Sequence, residues 1–181
     1  PLAIMQGRYI APQNLEYNVF SKILCYFFHP TSSLATACGM QLLIDKIGIK
    51  NSIFEFDNSG TFIGGRSIFA NARDYARFGY LYLRDGLWDG ERIVSKVWID
   101  DTRTPAKNSY QMYSNQFWMP HPAYTRGLPK DTYYAAGFGG QYILIIPSKD
   151  MIVVRLGETY MEDDKVIENI SEIISYFDNR I

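Results

Sequence analysis

The chain has 181 residues, enough for about one domain, and 47% of them are hydrophobic, which is ample material for a packed core. The net charge is −1 and no run of like charges exceeds three residues, so the basic stripe typical of nucleic-acid-binding proteins is missing. No apolar stretch reaches the ~18 residues that a membrane span needs, so no span is expected in this chain.

The first third of the chain is predicted to be mainly helical. One helix is expected over Phe20–Phe28, and a second over Ser33–Ile47, with Ser33 as its cap and Gly48 just past its end. The alternation of Ile53–Phe56 predicts a short strand.

A well-marked helix is predicted to begin after Asn71. Asp74 lies three residues further on, which resembles a capping box, and apolar residues follow at helical spacing until Asp85-Gly86 ends the helix. Ser95 is expected to cap another short helix that ends near residue 102.

The last third of the chain predicts a sheet. Residues 103–132 are rich in loop formers and enclose one expected strand around Phe117–Met119. Tyr142–Ile146 and Met151–Leu156 are apolar runs rich in β-branched residues, and Pro147–Asp150 separates them, so a β-hairpin is predicted. The near-continuous apolarity of both runs favours central strands that are buried on two faces.

A final helix is predicted from about Glu162 to Phe177. Its apolar stripe consists of Val166, Ile167, Ile170, Ile173, Ile174 and Phe177. Helices before strands, with a last helix to cover them, indicate an α+β fold class.

The residues alone give little chemistry. His29 and His121 are far apart without ligands at suitable spacing, so no metal site is predicted. No Ser is followed by a Lys three residues later, so the SxxK motif is absent. Gly137–Gly140 precedes a strand, which is the wrong context for a dinucleotide loop and favours a tight turn. An α+β enzyme fragment and a non-catalytic domain both stay open at this point.

Three segments carry a family resemblance. The first runs from Gly64 to Leu83 and continues through Gly86–Val94, the second is Ala135–Gln141 with the hairpin after it, and the third is Glu16-Tyr17-Asn18. Together they resemble β-lactamase-related serine hydrolases of the penicillin-binding-protein superfamily, especially the branch of 6-aminohexanoate-dimer hydrolases and related esterases. The resemblance covers roughly residues 12–178.

The resemblance implies a β-lactamase/transpeptidase-like α+β fold, in which helices and part of a helical subdomain flank an antiparallel sheet. Residues 1–181 would be the C-terminal portion of one domain, mainly helical over about 12–105, with the sheet and C-terminal helix over about 106–181. The SxxK serine would lie in a missing N-terminal portion, so the chain alone is expected to be inactive. Because that portion completes the sheet in the family, self-association or pairing with it is also expected.

The resemblance also implies site residues. Tyr17 would be the catalytic Tyr that shuttles a proton between nucleophile and leaving group, and the backbone N–H of Phe138 would be one arm of an oxyanion hole. The residues expected to contact substrate are Gly64, Gly65, Trp118, Gly137 and Gly139. For Trp118 a role in the core is equally open.

Departures from the family pattern bear on the substrate. Ala135-Ala136 stands where the family has Lys-Thr or His-Thr, and Val19 stands where an Asn is frequent. A small-molecule amide or ester with a less anionic acyl part is therefore expected, with no cofactor and no metal. The same losses keep open a non-catalytic binding or scaffolding module.

Overall fold

A computed structural model of the chain describes residues 43–54, 58, 68–159 and 162–178. The helix predicted over Phe20–Phe28 and most of the one predicted over Ser33–Ile47 lie outside these residues. Residues 43–46 are helical, and the backbone turns at Gly48 with a φ of +71°. The amide of Ile49 donates to the Ile44 carbonyl across this turn, which is a common way to end a helix.

Helices flank an antiparallel sheet. The elements in chain order are β1 (Ser52–Phe54), β2 (Ile68–Ala70), α1 (Ala72–Leu83), β3 (Leu87–Trp88), β4 (Glu91–Arg92), α2 (Lys96–Thr102), β5 (Tyr113–Ser114), β6 (Phe117–Trp118), β7 (Tyr133–Gly137), β8 (Gln141–Ile146), β9 (Met151–Arg155) and α3 (Asp163–Asp178). Strands β5 to β9 form one sheet in chain order, and β1–β2 and β3–β4 are separate pairs. The α+β fold class predicted from the sequence is confirmed.

The two faces of the sheet bury different cores. Alternate residues of β7 and β8, such as Tyr133 and Ile143, join a core that includes the apolar face of α1. Their neighbours, such as Tyr134 and Leu144, join a second core with α3. This alternation is what a strand covered on both faces requires.

Helix α1 begins as its sequence predicts. The Asn71 side chain accepts a hydrogen bond from the Asp74 amide at 2.9 Å, and its Nδ2 donates to the Asp74 carboxylate at 2.8 Å. The helix then approaches the sheet closely at Gly79, where a Cβ would lie 3.0 Å from Ile152 and 3.1 Å from Ile143. A larger residue at this position would push the helix away from the sheet.

The predicted hairpin is confirmed, but its two strands differ in burial. Every residue of β8 is buried, as predicted for a central strand. Every residue of β9 is only partly buried, because β9 pairs with β8 alone among the described residues. The prediction of a central strand buried on both faces is therefore correct for β8, whereas β9 packs against both cores but is only partly buried.

The stripe predicted for α3 is partly wrong. Val166, Ile167, Ile170 and Ile174 are buried, whereas Ile173 is 53% exposed and Phe177 is 47% exposed. The buried face is rotated toward Ser171, whose hydroxyl donates to the Arg126 carbonyl at 3.1 Å in the loop before β7. None of the helices in the described ranges is long and apolar enough to cross a membrane.

Strand β7 was not predicted. Its sequence, Tyr133–Gly137, ends in Ala-Ala-Gly, residues that favour strands weakly. It is nevertheless extended because five of its residues pair with β8, from Tyr133↔Ile145 to Gly137↔Gln141. Nonlocal pairing thus decides the conformation here. The strand predicted around Phe117–Met119 is confirmed as β6.

Candidate active site

Of the candidate site residues that the structure describes, Gly137, Phe138 and Gly139 lie at the turn between β7 and β8. We call residues 137–141 the glycine turn. Gly137 and Gln141 are the last paired residues of the two strands, and Phe138, Gly139 and Gly140 connect them. Tyr17, Gly64 and Gly65 lie outside the described residues, so their positions relative to this turn stay predictions.

The backbone of the glycine turn needs its glycines. Gly139 and Gly140 have φ values of +73° and +80°, in the left-handed region that other residues adopt only with strain. The Phe138 side chain is 65% exposed, which is unusual for a large aromatic residue. Phe138 is thus the exposed residue of the turn, whereas Gly137 and Gly139 are partly buried and Gly140 is buried.

Gln141 fastens the turn to the chain that follows β9. Its side chain is nearly buried, and its Oε1 accepts a hydrogen bond from the Gly157 amide at 3.0 Å. Its Nε2 donates to the Gly157 carbonyl and, at 3.3 Å, to the Gly139 carbonyl. The side-chain amide therefore imitates a strand partner just where the β8–β9 ladder ends.

Arg155 makes a second connection between the same two segments. One Nη atom donates to the Gly140 carbonyl, and the other donates to the Thr159 hydroxyl at 2.6 Å. The Thr159 amide in turn donates to the Gly139 carbonyl at 2.9 Å. The Gln141 and Arg155 side chains and the Thr159 amide thus converge on the carbonyls of Gly139 and Gly140.

Two glycines make room for the Arg155 guanidinium. A Cβ at Gly140 would lie 2.6 Å from Nη1, and a Cβ at Gly157 would lie 3.2 Å from Cζ. Sequence analysis missed Gln141, Arg155, Gly157 and Thr159 as parts of this site. The sequence contains Gly-Gly-Gln at residues 139–141 and Arg-Leu-Gly at residues 155–157. Only the register of β8 against β9 shows that these two segments lie side by side.

Trp118 lies elsewhere in the sheet. It pairs with Tyr134 and packs in the core on the α3 face, with its ring 4.9 Å from the Tyr113 ring. Tyr134 is four residues from Phe138, which is ~13 Å along a strand. This position is that of a core residue, and the structure does not bring Trp118 beside the glycine turn.

The alanines before the turn offer no polar groups. Ala135 is buried in the core on the α1 face, and Ala136 packs against the core on the α3 face. The donors near the turn are therefore backbone amides and the Gln141 and Arg155 side chains. Among the residues that the structure describes, no cluster of His, Cys, Asp or Glu could hold a metal ion.

The opposite end of β7 is fixed by a charged residue. Arg103 donates to the Asp85 carboxylate at 2.7 Å, to the Tyr82 carbonyl at 2.9 Å and to the Tyr133 hydroxyl at 3.2 Å. Burial raises the pKa of Tyr133 to about 12, although the Arg103 hydrogen bond lowers it. This cluster ties α1, α2 and β7 together and leaves the glycine turn as the exposed end of the strand.

Comparison of the sequence with known proteins gives one distant relative. No family model matches the chain. An uncharacterized protein of Alkalihalophilus pseudofirmus is 27% identical over an alignment of 99 residues that covers 49% of this chain and 30% of that protein.

Comparison of the structure with solved structures is more informative. A Bacillus anthracis protein assigned as a 6-aminohexanoate-dimer hydrolase superposes with a TM-score of 0.70 at 22% identity, over 96% of this chain and 47% of that one. A protein assigned as a β-lactamase from Bacteroides dorei gives 0.54 at 11% identity, over 96% and 69%. A β-lactamase from Mycobacterium bovis gives 0.57 at 15% identity, over 78% and 59%.

These matches establish a shared fold. The chain spans about half the length of the 6-aminohexanoate-dimer hydrolase structure and 30% of the sequence relative. The chain has the α+β fold of these β-lactamase-like structures and spans part of it.

Proposed function

We propose that the chain is part of a serine hydrolase that cleaves amide or ester bonds through an acyl-enzyme. The observation that carries this proposal is the glycine turn. Its residues resemble the family's third motif, Phe138 within it is 65% exposed, and the fold is shared with a protein named as a hydrolase. In this proposal the Phe138 amide donates to the oxyanion that forms when a serine attacks the substrate carbonyl.

The proposed chemistry divides between this chain and the segment with the nucleophile. The serine hydroxyl adds to the substrate carbonyl, and its proton passes through Tyr17 to the departing amine or alcohol. Water then attacks the acyl-serine and releases the acid. The serine itself would come from an SxxK segment outside the sequence given, since no Ser-x-x-Lys occurs within it.

The substrate is proposed to have a weakly anionic acyl part. Ala135 and Ala136 supply neither the cation nor the hydroxyl that would hold a substrate carboxylate. The nearby Arg155 guanidinium is engaged by the Gly140 carbonyl and the Thr159 hydroxyl. Neutral amides and esters therefore fit this surface better than β-lactams do.

The test uses the complete gene product, a fluorophosphonate probe and the Tyr17→Phe variant. The proposal predicts stoichiometric labelling of one serine, located by mass spectrometry, and a labelling rate that falls by about 100-fold or more in the variant. No labelling of the folded complete protein would contradict the proposal and favour a non-catalytic binding or scaffolding module. Serine labelling of the 181-residue chain alone would contradict the placement of the nucleophile outside it.

We also propose that the 181-residue chain associates with itself or with an N-terminal partner segment. Among the described residues β9 pairs on one side only, and Ile173 and Phe177 on α3 are exposed. Unpaired strand edges beside apolar surface favour strand addition. Sedimentation of the chain at increasing concentration should show dimers or larger species, and a stable monomer would contradict this expectation.

A further inference from the structure

The glycine turn has little intrinsic rigidity. Glycine is the residue with the most backbone freedom, and this turn has two glycines at positive φ between its strands. A hydrogen-bond donor acts in catalysis only to the extent that it is already aimed at the developing charge. Side-chain hydrogen bonds must therefore restrict the peptides of the turn if they are to serve in that way.

The Gln141 and Arg155 side chains are placed to impose this restriction. Gln141 holds the Gly139 carbonyl and forms a two-bond pair with the Gly157 peptide. Arg155 holds the Gly140 carbonyl and the Thr159 hydroxyl, while the Thr159 amide holds the Gly139 carbonyl. The Gly139 and Gly140 carbonyls, which belong to the second and third peptide planes after Phe138, are thus held by donors from Gln141 at the start of β8 and from Arg155 and Thr159 at and beyond the end of β9.

The fit of the two side chains is specific. The Arg155 guanidinium lies between Gly140 and Gly157, where a methyl group on either glycine would come within 3.2 Å of it. Gln141 is only 7% exposed, so water competes little for the hydrogen bonds that its side-chain amide makes. A planar fork such as arginine and a planar amide such as glutamine keep peptide groups in one orientation better than a flexible lysine would.

We propose that Gln141 and Arg155 are positioning residues that orient the Phe138 amide for oxyanion stabilisation. This inference rests on the proposed hydrolase function, because it assigns the two residues a part in that reaction. Neither residue is expected to touch the substrate. Their removal should reduce the rate of acylation and leave ground-state substrate binding nearly unchanged, since the lost interaction operates in the transition state.

The experiment compares variants of the complete gene product. Gln141→Met keeps the length of the side chain without its hydrogen bonds, and Arg155→Met removes the fork, whereas Arg155→Lys keeps the charge. Arg84→Met is the matched control, because Arg84 binds Asp150 at the other turn of the sheet, at 2.9 Å. Rates of p-nitrophenyl ester hydrolysis, affinity for a boronic acid that mimics the oxyanion, and amide hydrogen exchange of peptides covering residues 137–142 are measured for each.

The proposal predicts a kcat that falls roughly 10- to 100-fold in Gln141→Met and Arg155→Met, with KM changed by less than about threefold. Boronic acid affinity should fall in parallel with kcat/KM, and exchange in residues 137–142 should be faster. Arg155→Lys should recover little of the rate, and Arg84→Met should resemble the wild type. A variant that loses only thermal stability, with kcat and boronic acid affinity retained, would overturn the proposal.

Failure of the proposed function gives a different result. If the wild-type protein neither reacts with fluorophosphonate nor hydrolyses the ester, the proposed hydrolase function is contradicted. The positioning role of Gln141 and Arg155 in that reaction is then contradicted too, whatever the exchange data show. Normal wild-type activity with unchanged exchange and kcat in the Met variants would overturn the inference about Gln141 and Arg155 alone.

Discussion

The two ends of the central sheet are closed in different ways. At one end, the glycine turn is held by hydrogen bonds from the buried Gln141 and partly buried Arg155 side chains to backbone carbonyls. At the other end, Pro147–Asp150 forms the connection between β8 and β9, which we call the proline turn. There the Asp131 carboxylate accepts from the Ser148 amide and hydroxyl at 2.6 and 2.8 Å, and Arg84 pairs with Asp150, all of them exposed.

The difference indicates where precision matters. The proline turn contains its own conformational signals, a proline with fixed φ and a left-handed Asp150 with φ of +47°. Its external bonds lie in water, where ion pairs contribute little. The glycine turn has glycines that permit its positive φ values but do not fix them, and it depends on the buried Gln141 and partly buried Arg155 side chains. A turn that only reverses the chain would not need this support, which is why we associate the glycine turn with function.

The largest loss of stability is expected from a substitution that fills the space around the Arg155 side chain. Gly140→Ala places a methyl group 2.6 Å from Nη1 at a φ of +80°, so backbone strain and a clash should together cost about 2–4 kcal/mol of stability. Gly90→Ala is the matched control, since Gly90 has a φ of +82° with nothing within 4 Å of the added Cβ. Denaturant unfolding of both variants measures the difference, and equal costs would show that the Arg155 contact is unimportant for stability.

A smaller effect concerns the far end of β7 and depends on pH. Because the pKa of Tyr133 is raised to about 12 in the folded chain, Tyr133 stays neutral while the unfolded chain ionises. The stability that this difference in pKa contributes is fully present below pH ~10, the pKa of tyrosine in the unfolded chain. As the pH rises toward 12, the free energy of unfolding falls by up to about 2 kcal/mol.

The variant Tyr133→Phe separates this contribution. It should be less stable than the wild type at pH 7, by about 1 kcal/mol, because Arg103 loses an acceptor. Between pH 9.5 and 11.5, roughly, its stability should fall less steeply than that of the wild type. Tyr124→Phe, which removes an exposed hydroxyl, serves as the control. Chemical denaturation at each pH measures the stability. If the stability of Tyr133→Phe fell with pH as steeply as that of the wild type, Tyr133 would not be the source of the pH dependence.

The smallest effect is expected at the proline turn. The Arg84–Asp150 pair has side chains that are 43% and 62% exposed, so Arg84→Met should leave the unfolding midpoint unchanged in moderate salt. Arg155→Met should lower stability by about 1–2 kcal/mol, because the Gly140 carbonyl and Thr159 hydroxyl lose their donor. Equal effects of the two variants would remove the contrast between the turns.

Sequence patterns predicted the parts of the fold that local interactions decide. Asn71 and Ser95 mark helix starts because a side-chain oxygen at that point accepts from an amide three residues on. The runs of β8 and β9 predicted a hairpin because β-branched apolar residues with a Pro-Ser-Lys-Asp separator have few other stable arrangements. The Gly-rich motif also predicted a tight turn at Gly137–Gly140.

Features decided by distant contacts were missed. Strand β7 is extended because β6 and β8 pair with it, although Ala-Ala-Gly has weak strand preference. Ile173 belongs to the apolar stripe but is exposed, because periodicity gives the width of an apolar face but not its rotation against the sheet, and Ser171 lies on the buried face instead. The meeting of Gln141 and Arg155 with the turn depends on the β8–β9 register, which the sequence does not reveal.

The central claim is that the Phe138 amide binds the oxyanion in a serine hydrolase. The most direct measurement is a crystal structure of the complete gene product after reaction with a fluorophosphonate. Our account predicts a phosphonylated serine whose phosphonyl oxygen lies about 2.7–3.1 Å from the Phe138 nitrogen. A phosphonyl oxygen directed away from the glycine turn, or a folded protein that forms no adduct, would contradict it.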